Sequence, residues 1–191
     1  MKTANLKISY NFGNELEHLF SSVYCEDFGE KRLSNLKYIS NSPYILGNTY
    51  HNLRKLQSAH GGSDPGAVYE GRREKDDNLS LAIAVGELLS RQGVSVIYTR
   101  TTDVYQTPFE KAQMANQADA DFFISFHRNS SEEPNQYTGV ETLVYDNSGI
   151  KQTMAENING ALSELGFRNL GVKARPGLVV LRRTKNAGSS D

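Results

Sequence analysis

The chain has 191 residues with 21 basic and 22 acidic side chains, one Cys, no Trp and a formal net charge of −1. That length suits one domain, or one plus a small appendage, and 38% hydrophobic with 23% charged residues excludes a disordered polymer. No run reaches the ~20 apolar residues of a membrane helix, the balanced charge gives no drive toward nucleic acid, and Cys25 alone builds neither a disulfide framework nor a Cys-cluster metal site.

In chain order, Met1 to Asn5 lead into no apolar stretch, so no secretory signal peptide is expected. Leu16, Leu19, Phe20, Val23 and Tyr24 have the spacing of a short amphipathic helix, and Ser42-Pro43 reads as a turn. The rest of residues 1–58 carries no motif, and this segment is set apart as an N-terminal appendage of unknown role and structure. From residue 59 the pattern sharpens. A Gly-rich loop, Gly61 to Gly71, precedes a helix that starts near Asp76, buries Leu79, Ala82, Ile83, Val85, Leu88 and Leu89, and ends at Gly93. Residues 94–99 read as a strand, and Pro108 opens a helix through Asn116. Strands follow at 122–126 and 139–145, then an apolar helical stripe from Ile150 to Leu165, and a last short strand at 178–181. Alternating strands and helices predict an α/β domain around a mostly parallel central sheet flanked by helices, with ligands at the carboxyl ends of the strands.

Two of the four histidines stand in informative places. His60 opens the loop His60-Gly61-Gly62-Ser63-Asp64-Pro65-Gly66-Ala67, whose small residues let the backbone turn sharply and approach a ligand. His127 follows the strand that ends at Phe126, and Glu74 lies between them at the entry to a helix. Two imidazoles and a carboxylate make the three-ligand set of a catalytic zinc, with a fourth position for water. Taken singly, each residue also suits a plainer role. His127 would serve as a hydrogen-bonded strand-end residue, Glu74 as a carboxylate facing the helix dipole, and the Gly-rich loop as a phosphate cradle. The loop, however, lacks the Lys-Ser/Thr ending of a P-loop. No His-Glu-x-x-His helix is present either, which weakens a zinc peptidase of another fold.

The order of the motifs tips this balance. His60-Gly61-Gly62-x-Asp64-Pro65-Gly66-Ala67, Glu74-Lys75-Asp76, Thr99-Arg100-x-x-Asp103, Ala115-Asn116, Phe123-Ile124-Ser125-x-His127-x-Asn129 and Gly139-x-Glu141 follow one another along the chain. Over residues 59–184 this resembles the zinc-dependent N-acetylmuramoyl-L-alanine amidases of type 3, which cleave bacterial peptidoglycan. The resemblance implies the amidase type 3 fold, a catalytic domain over 59–191 and one zinc (Zn2+) held by His60, Glu74 and His127. It places Asn129 at the substrate. It also implies peptidoglycan or muropeptides as partners, action at the cell wall, and hydrolysis of the amide between N-acetylmuramic acid and L-alanine. In that family zinc polarises the carbonyl and activates water, and a glutamate near the C-terminus is the general base.

The sequence departs from the family in two places. The segment before His60, Asn52 to Ala59, carries Arg54 and Lys55 where a central strand is ordinarily apolar. After Arg183-Thr184 the family continues with a Pro-led apolar strand bearing the base, and a helix. Here the chain reads Lys185-Asn186-Ala187-Gly188-Ser189-Ser190-Asp191, a poor buried strand, so the domain is expected to be C-terminally incomplete. One choice of codons for 186–191, read one base later, yields Met-Pro-Ala-Val-Leu-Ile and an acid, which suggests a frameshifted gene. The second functional reading is therefore an inactive remnant that binds zinc or wall fragments without turnover. The general base is therefore left unassigned: the role is not transferred to Asp191, and only full turnover by the chain would make Asp191 or Glu141 the next positions to mutate. Lys111 replaces an arginine usual in the family.

Overall fold

The computed structural model describes residues 4–11, 53–118, 120–129 and 138–184, apart from the side chains of 4–11 and 53–55. The helix expected over 16–24, the turn at Ser42-Pro43 and Asp191 lie outside these residues. The chain forms a six-stranded sheet in the order β5-β2-β6-β1-β7-β8. Its strands are β1 (Ala4–Asn11), β2 (Leu53–Ser58), β5 (Ser95–Tyr98), β6 (Phe122–Arg128), β7 (Gly139–Val144) and β8 (Asn169–Ala174). A two-residue pair, β3 (Val68–Tyr69) and β4 (Arg72–Arg73), makes a small hairpin inside the Gly-rich loop. Strands β5, β2, β6 and β1 run parallel, β7 is antiparallel to β1, and β8 is parallel to β7. The α/β architecture with a mostly parallel sheet is therefore as the sequence predicts.

Helices cover both faces: α1 (Glu74–Arg91), α2 (Pro108–Gln117), α3 (Gly149–Glu164) and the short α4 (Val179–Arg183). On one face Ala82 of α1 and Met154, Ala155 and Ile158 of α3 pack with Leu56, Phe122, Ile124, Phe126, Val140 and Val144. On the other, Ala115 of α2 and Val180 and Leu181 of α4 pack with Phe123 and Leu143. The alternation of buried residues along β6, with even numbers on one face and odd on the other, follows from the two-residue period of a strand. Helix α2 is begun by a full capping box, in which Thr107 and Glu110 satisfy each other's backbone amides, with Pro108 in the first turn.

Several expectations are corrected. The helix expected near Asp76 begins at Glu74, because the amides of Glu74 and Lys75 bond to the carbonyls of Ala67 and Pro65 instead of to a capping side chain. The strand ending at Phe126 continues through His127 to Arg128. Residues 178–181 are not a strand: helix α4 starts at Val179, and a four-residue apolar run cannot by periodicity be told from a helical turn. Strand β8 carries no clear sequence signal, because Gly171, at φ +88°, interrupts the alternation of Leu170, Val172 and Ala174. The charged segment before His60 does form strand β2, paired in parallel on both sides, with Leu56 fully buried and Gln57 and Ser58 nearly so. Backbone ladders on both edges outweigh its poor apolar pattern. Residues 1–58 thus supply two strands, β1 and β2, to the sheet that carries the motifs.

Phe123 is fully buried between Ala115, Leu143, Val180 and Leu181. Phe123→Ala is expected to cost about 3–5 kcal/mol in urea denaturation. Ile150→Ala, at a position 41% exposed, should stay within about 0.5 kcal/mol.

Candidate metal centre

Three elements meet at the carboxyl ends of β2 and β6. His60 leaves β2 in the left-handed region at φ 61°, followed by Gly61 at 133° and Gly62 at 56°. Glycine is required at both, since a Cβ on Gly61 would stand 2.2 Å from the carbonyl oxygen of Val104 and one on Gly62 2.7 Å from the amide nitrogen of Tyr105. Lys75 clamps this turn by donating from Nζ to the Gly62 carbonyl at 2.8 Å and to Asp103 at 2.6 Å. Asp103 in turn accepts from the Gly62 amide at 2.7 Å. The buried Arg100 guanidinium donates to the carbonyls of Ala59 and Lys75, tying the end of β2 to α1. The motif Thr99-Arg100-x-x-Asp103 therefore acts as a clasp on the loop.

Glu74, 3% exposed at the start of α1, is the centre of the cluster. Its Oε1 lies 3.1 Å from Nε2 of His60 and 3.2 Å from Nδ1 of His127, and accepts from the Asn78 amide group at 3.1 Å and the Arg128 backbone amide at 2.9 Å. Oε2 accepts from the Ala67 amide at 2.9 Å. One ligand atom from each of His60, Glu74 and His127 lies within 4.8 Å of the others. Among the described residues, this is the group of His, Cys, Asp and Glu side chains gathered closely enough to hold a metal ion. The far nitrogen of His60, Nδ1, meets Asp64 at 2.8 Å, the carboxylate–histidine arrangement that orients a ligand ring. Gly66 leaves the space the cluster needs, because a Cβ there would lie 2.7 Å from both Glu74 Oε2 and the His60 ring. The donor set, its close spacing and the outer carboxylate all fit a zinc-type ion.

The electrostatics follow from these contacts. Burial works to raise the Glu74 carboxyl, but hydrogen bonds from His127 and His60, the Ala67 amide and the His127 charge hold it far below the carboxylate range. Burial works to lower the His60 pKa, and the hydrogen bonds and charges of Glu74 and Asp64 overcome it, leaving it raised.

Asn129, just past β6, donates from Nδ2 to Oε1 of Glu141 at 3.0 Å, and Lys173 of β8 donates to Oε2 of the same carboxylate at 2.5 Å. In register, Ser9 of β1 stands opposite both His127 and Glu141, so one strand separates the two. Sequence reasoning missed Arg128, whose guanidinium binds Asp77 at 2.8 Å and the carbonyls of Ala67 and Arg72, pinning the β3–β4 hairpin beside Glu74. Its signal was a basic residue closing an apolar strand, opposite the acids of a helix start.

The chain is similar to known proteins. Residues 56–188 match the family described as N-acetylmuramoyl-L-alanine amidase. The N-acetylmuramoyl-L-alanine amidase LytC of Bacillus subtilis is 30% identical over 163 residues, covering 80% of this chain and 33% of that protein. The endolysin of Bacillus phage SPP1 is 35% identical over 134 residues, covering 68% of this chain and 49% of its own. This chain thus spans between a third and a half of the length of these relatives. Among solved structures, an N-acetylmuramoyl-L-alanine amidase from Clostridium difficile 630 superposes with a TM-score of 0.67 at 28% identity, over 72% of this chain and 76% of that one.

The cluster sets a pH optimum for the metal-free protein. Glu74 is depressed from 4.5, so its share of stability is present above that value and lost as pH falls through its folded pKa. His60 is raised from 6.5, so its share is complete below that value and lost as pH rises through its folded pKa. Melting temperature of the chelator-treated chain should therefore peak between 4.5 and 6.5 and fall on either side. Glu74→Gln should flatten both limbs.

Proposed function

Since the chain belongs to the N-acetylmuramoyl-L-alanine amidase family, we propose that it hydrolyses the amide between N-acetylmuramic acid and L-alanine in peptidoglycan or muropeptides. In this reading His60, Glu74 and His127 hold a zinc ion. The observation that carries it is the convergence of three ligand atoms within 4.8 Å, with Asp64 behind His60. A bound zinc would supply Lewis acidity toward the amide carbonyl and lower the pKa of attacking water.

The chain's own residues do the rest. Asp64 fixes the His60 tautomer by accepting from Nδ1, which keeps Nε2 turned toward Glu74 for the ion. Glu74 contributes the negative charge, while the Ala67 amide anchors its second oxygen. Asn129 donates from Nδ2 to Glu141, and its carbonyl oxygen would then be the atom to accept from a substrate N–H. Glu141 is a positioning residue here. Its carboxylate, which burial would raise, is lowered by Lys173 and Asn129 and is already committed to both.

The paired state of Asp64 and Glu141 also favours a second reading, metal binding without turnover, because neither carboxylate is free to take a proton from water. One experiment separates the two: zinc content and muropeptide release measured on the same purified chain. About one zinc per chain is expected, with His60→Ala and His127→Ala each removing most of it and abolishing any release. Asp64→Asn should weaken zinc affinity by about 10–100-fold. A double His60→Ala, His127→Ala chain that keeps stoichiometric zinc would sink the ligand assignment. Full zinc with no release would select the non-catalytic reading.

A further inference from the structure

Lys111 is a charged residue that the site as described leaves without a task. It lies on the sheet-facing side of α2, one helical turn before Ala115, which packs on Phe123. Phe123, Ser125 and His127 alternate along β6 and so face the same side of the sheet. Lys111 is 4% exposed, and among the described residues its ammonium has neither a hydrogen-bond acceptor nor a carboxylate within ion-pairing distance. The stem of Lys111 is packed along its length, while its Nζ is not among the enclosed atoms that lack a partner and so keeps an edge toward solvent, from which an incoming group can reach it.

Its surroundings define what it could serve. The charges acting on it are Arg100, which repels it, and Asp64, Glu110 and Glu74, which attract it. Two of these are the second-layer carboxylate and the central ligand of the candidate metal centre, so Lys111 stands within electrostatic reach of that centre. Burial and Arg100 lower its pKa to about 8, which leaves the cationic form in the majority at neutral pH. Beneath the same helix, Gln57 and Ser125 are neighbours in register on this sheet face. Gln57 Oε1 and Ser125 Oγ are both buried without a partner. The sheet face that carries His127 therefore also carries two buried polar oxygens with unused bonding capacity, where apolar side chains would have been cheaper to bury.

We propose that Lys111 is a catalytic residue of this site, donating from Nζ to the substrate's scissile carbonyl oxygen as that oxygen gains negative charge. The inference rests on the amidase reading and deepens it. A cation in a water-poor site is effective against developing charge because little solvent screens it and it needs no reorganisation. The rival account is structural: Lys111 would only balance the negative charge of Glu74 and Asp64, and its loss would then disturb metal affinity.

The test uses the full chain loaded with cobalt, whose visible spectrum reports the metal's surroundings, with acetate as a small anionic-oxygen probe. Lys111→Met should retain the wild-type cobalt stoichiometry, bind acetate about tenfold more weakly, and lower kcat on muropeptides by about 10²-fold with KM little changed. Lys111→Arg should restore most of the acetate affinity, which guards against misreading a folding defect. Equal acetate affinity in wild type and Lys111→Met, no acetate binding by the cobalt-loaded wild type, or loss of cobalt from Lys111→Met, whether or not Lys111→Arg keeps it, would overturn the proposal. A wild-type chain that takes up no cobalt would instead remove the metal-site reading beneath it.

Discussion

The buried carboxylate of Glu74 is the constraint around which the rest is arranged. A charge 3% exposed is tolerable only if its lone pairs are filled, and here five donors from four parts of the chain fill them. They come from the loop after β2, the end of β6, the hairpin approach at Ala67 and the next turn of α1. Satisfying one carboxylate therefore fixes the relative positions of all four. Its place in the first turn of α1 adds the favourable end of the helix dipole. The same contacts that make the charge affordable bring the two imidazoles to one point.

A second layer holds the first. His60 sits at a positive φ that a non-glycine residue seldom adopts, so something must over-determine it. Lys75, Asp103 and Arg100 do this by bonding the backbone of the turn and of the strand before it. Arg128 performs the matching task on the far side, holding the hairpin through Asp77 and two carbonyls. These cations bind backbone oxygens, which makes the loop rigid without depending on a large apolar core beneath it. Strand β2 illustrates the consequence, being stable in place although Gln57 and Ser58 are buried and only Leu56 and Ala59 are apolar among its described side chains and the residue that follows.

Much of the centre was legible in sequence because its requirements are local. The glycines of the His60 loop, the helix-start acids and the strand-end histidine each announce a backbone conformation or a position at the sheet's edge. What bound them together was order along the chain, not distance. The misses have the opposite character. Strand β1 was missed although Leu6, Ile8 and Tyr10 alternate with Lys7, Ser9 and Asn11 as in a strand; its partners, Phe122–Arg128 and Gly139–Val144, lie more than a hundred residues away. Helix α4 was misread because Val180 and Leu181 are buried by α2 and β6, a tertiary fact that a short apolar run does not encode. Arg128 was passed over, and Lys111 was noted only as a replacement for an arginine, because burial of a cation is invisible until the helix and strand that bury it are packed.

The hydrogen bonds also bear on how a metal would enter. The two imidazoles point nitrogen atoms at Glu74, so hydrogen bonds among the three side chains suffice to assemble the cluster. A proton and a metal ion then compete for the same Nε2 of His60. Burial works to lower that histidine's pKa, but Glu74 and Asp64 overcome it, so the proton is held more firmly than on a free imidazole, and uptake of an ion would have to release it. The raised pKa would thus weaken apparent metal affinity at low pH while preserving the geometry that an ion needs. Preorganisation and proton competition are two consequences of one carboxylate, and the first offsets the second by sparing the chain any rearrangement when the proton leaves.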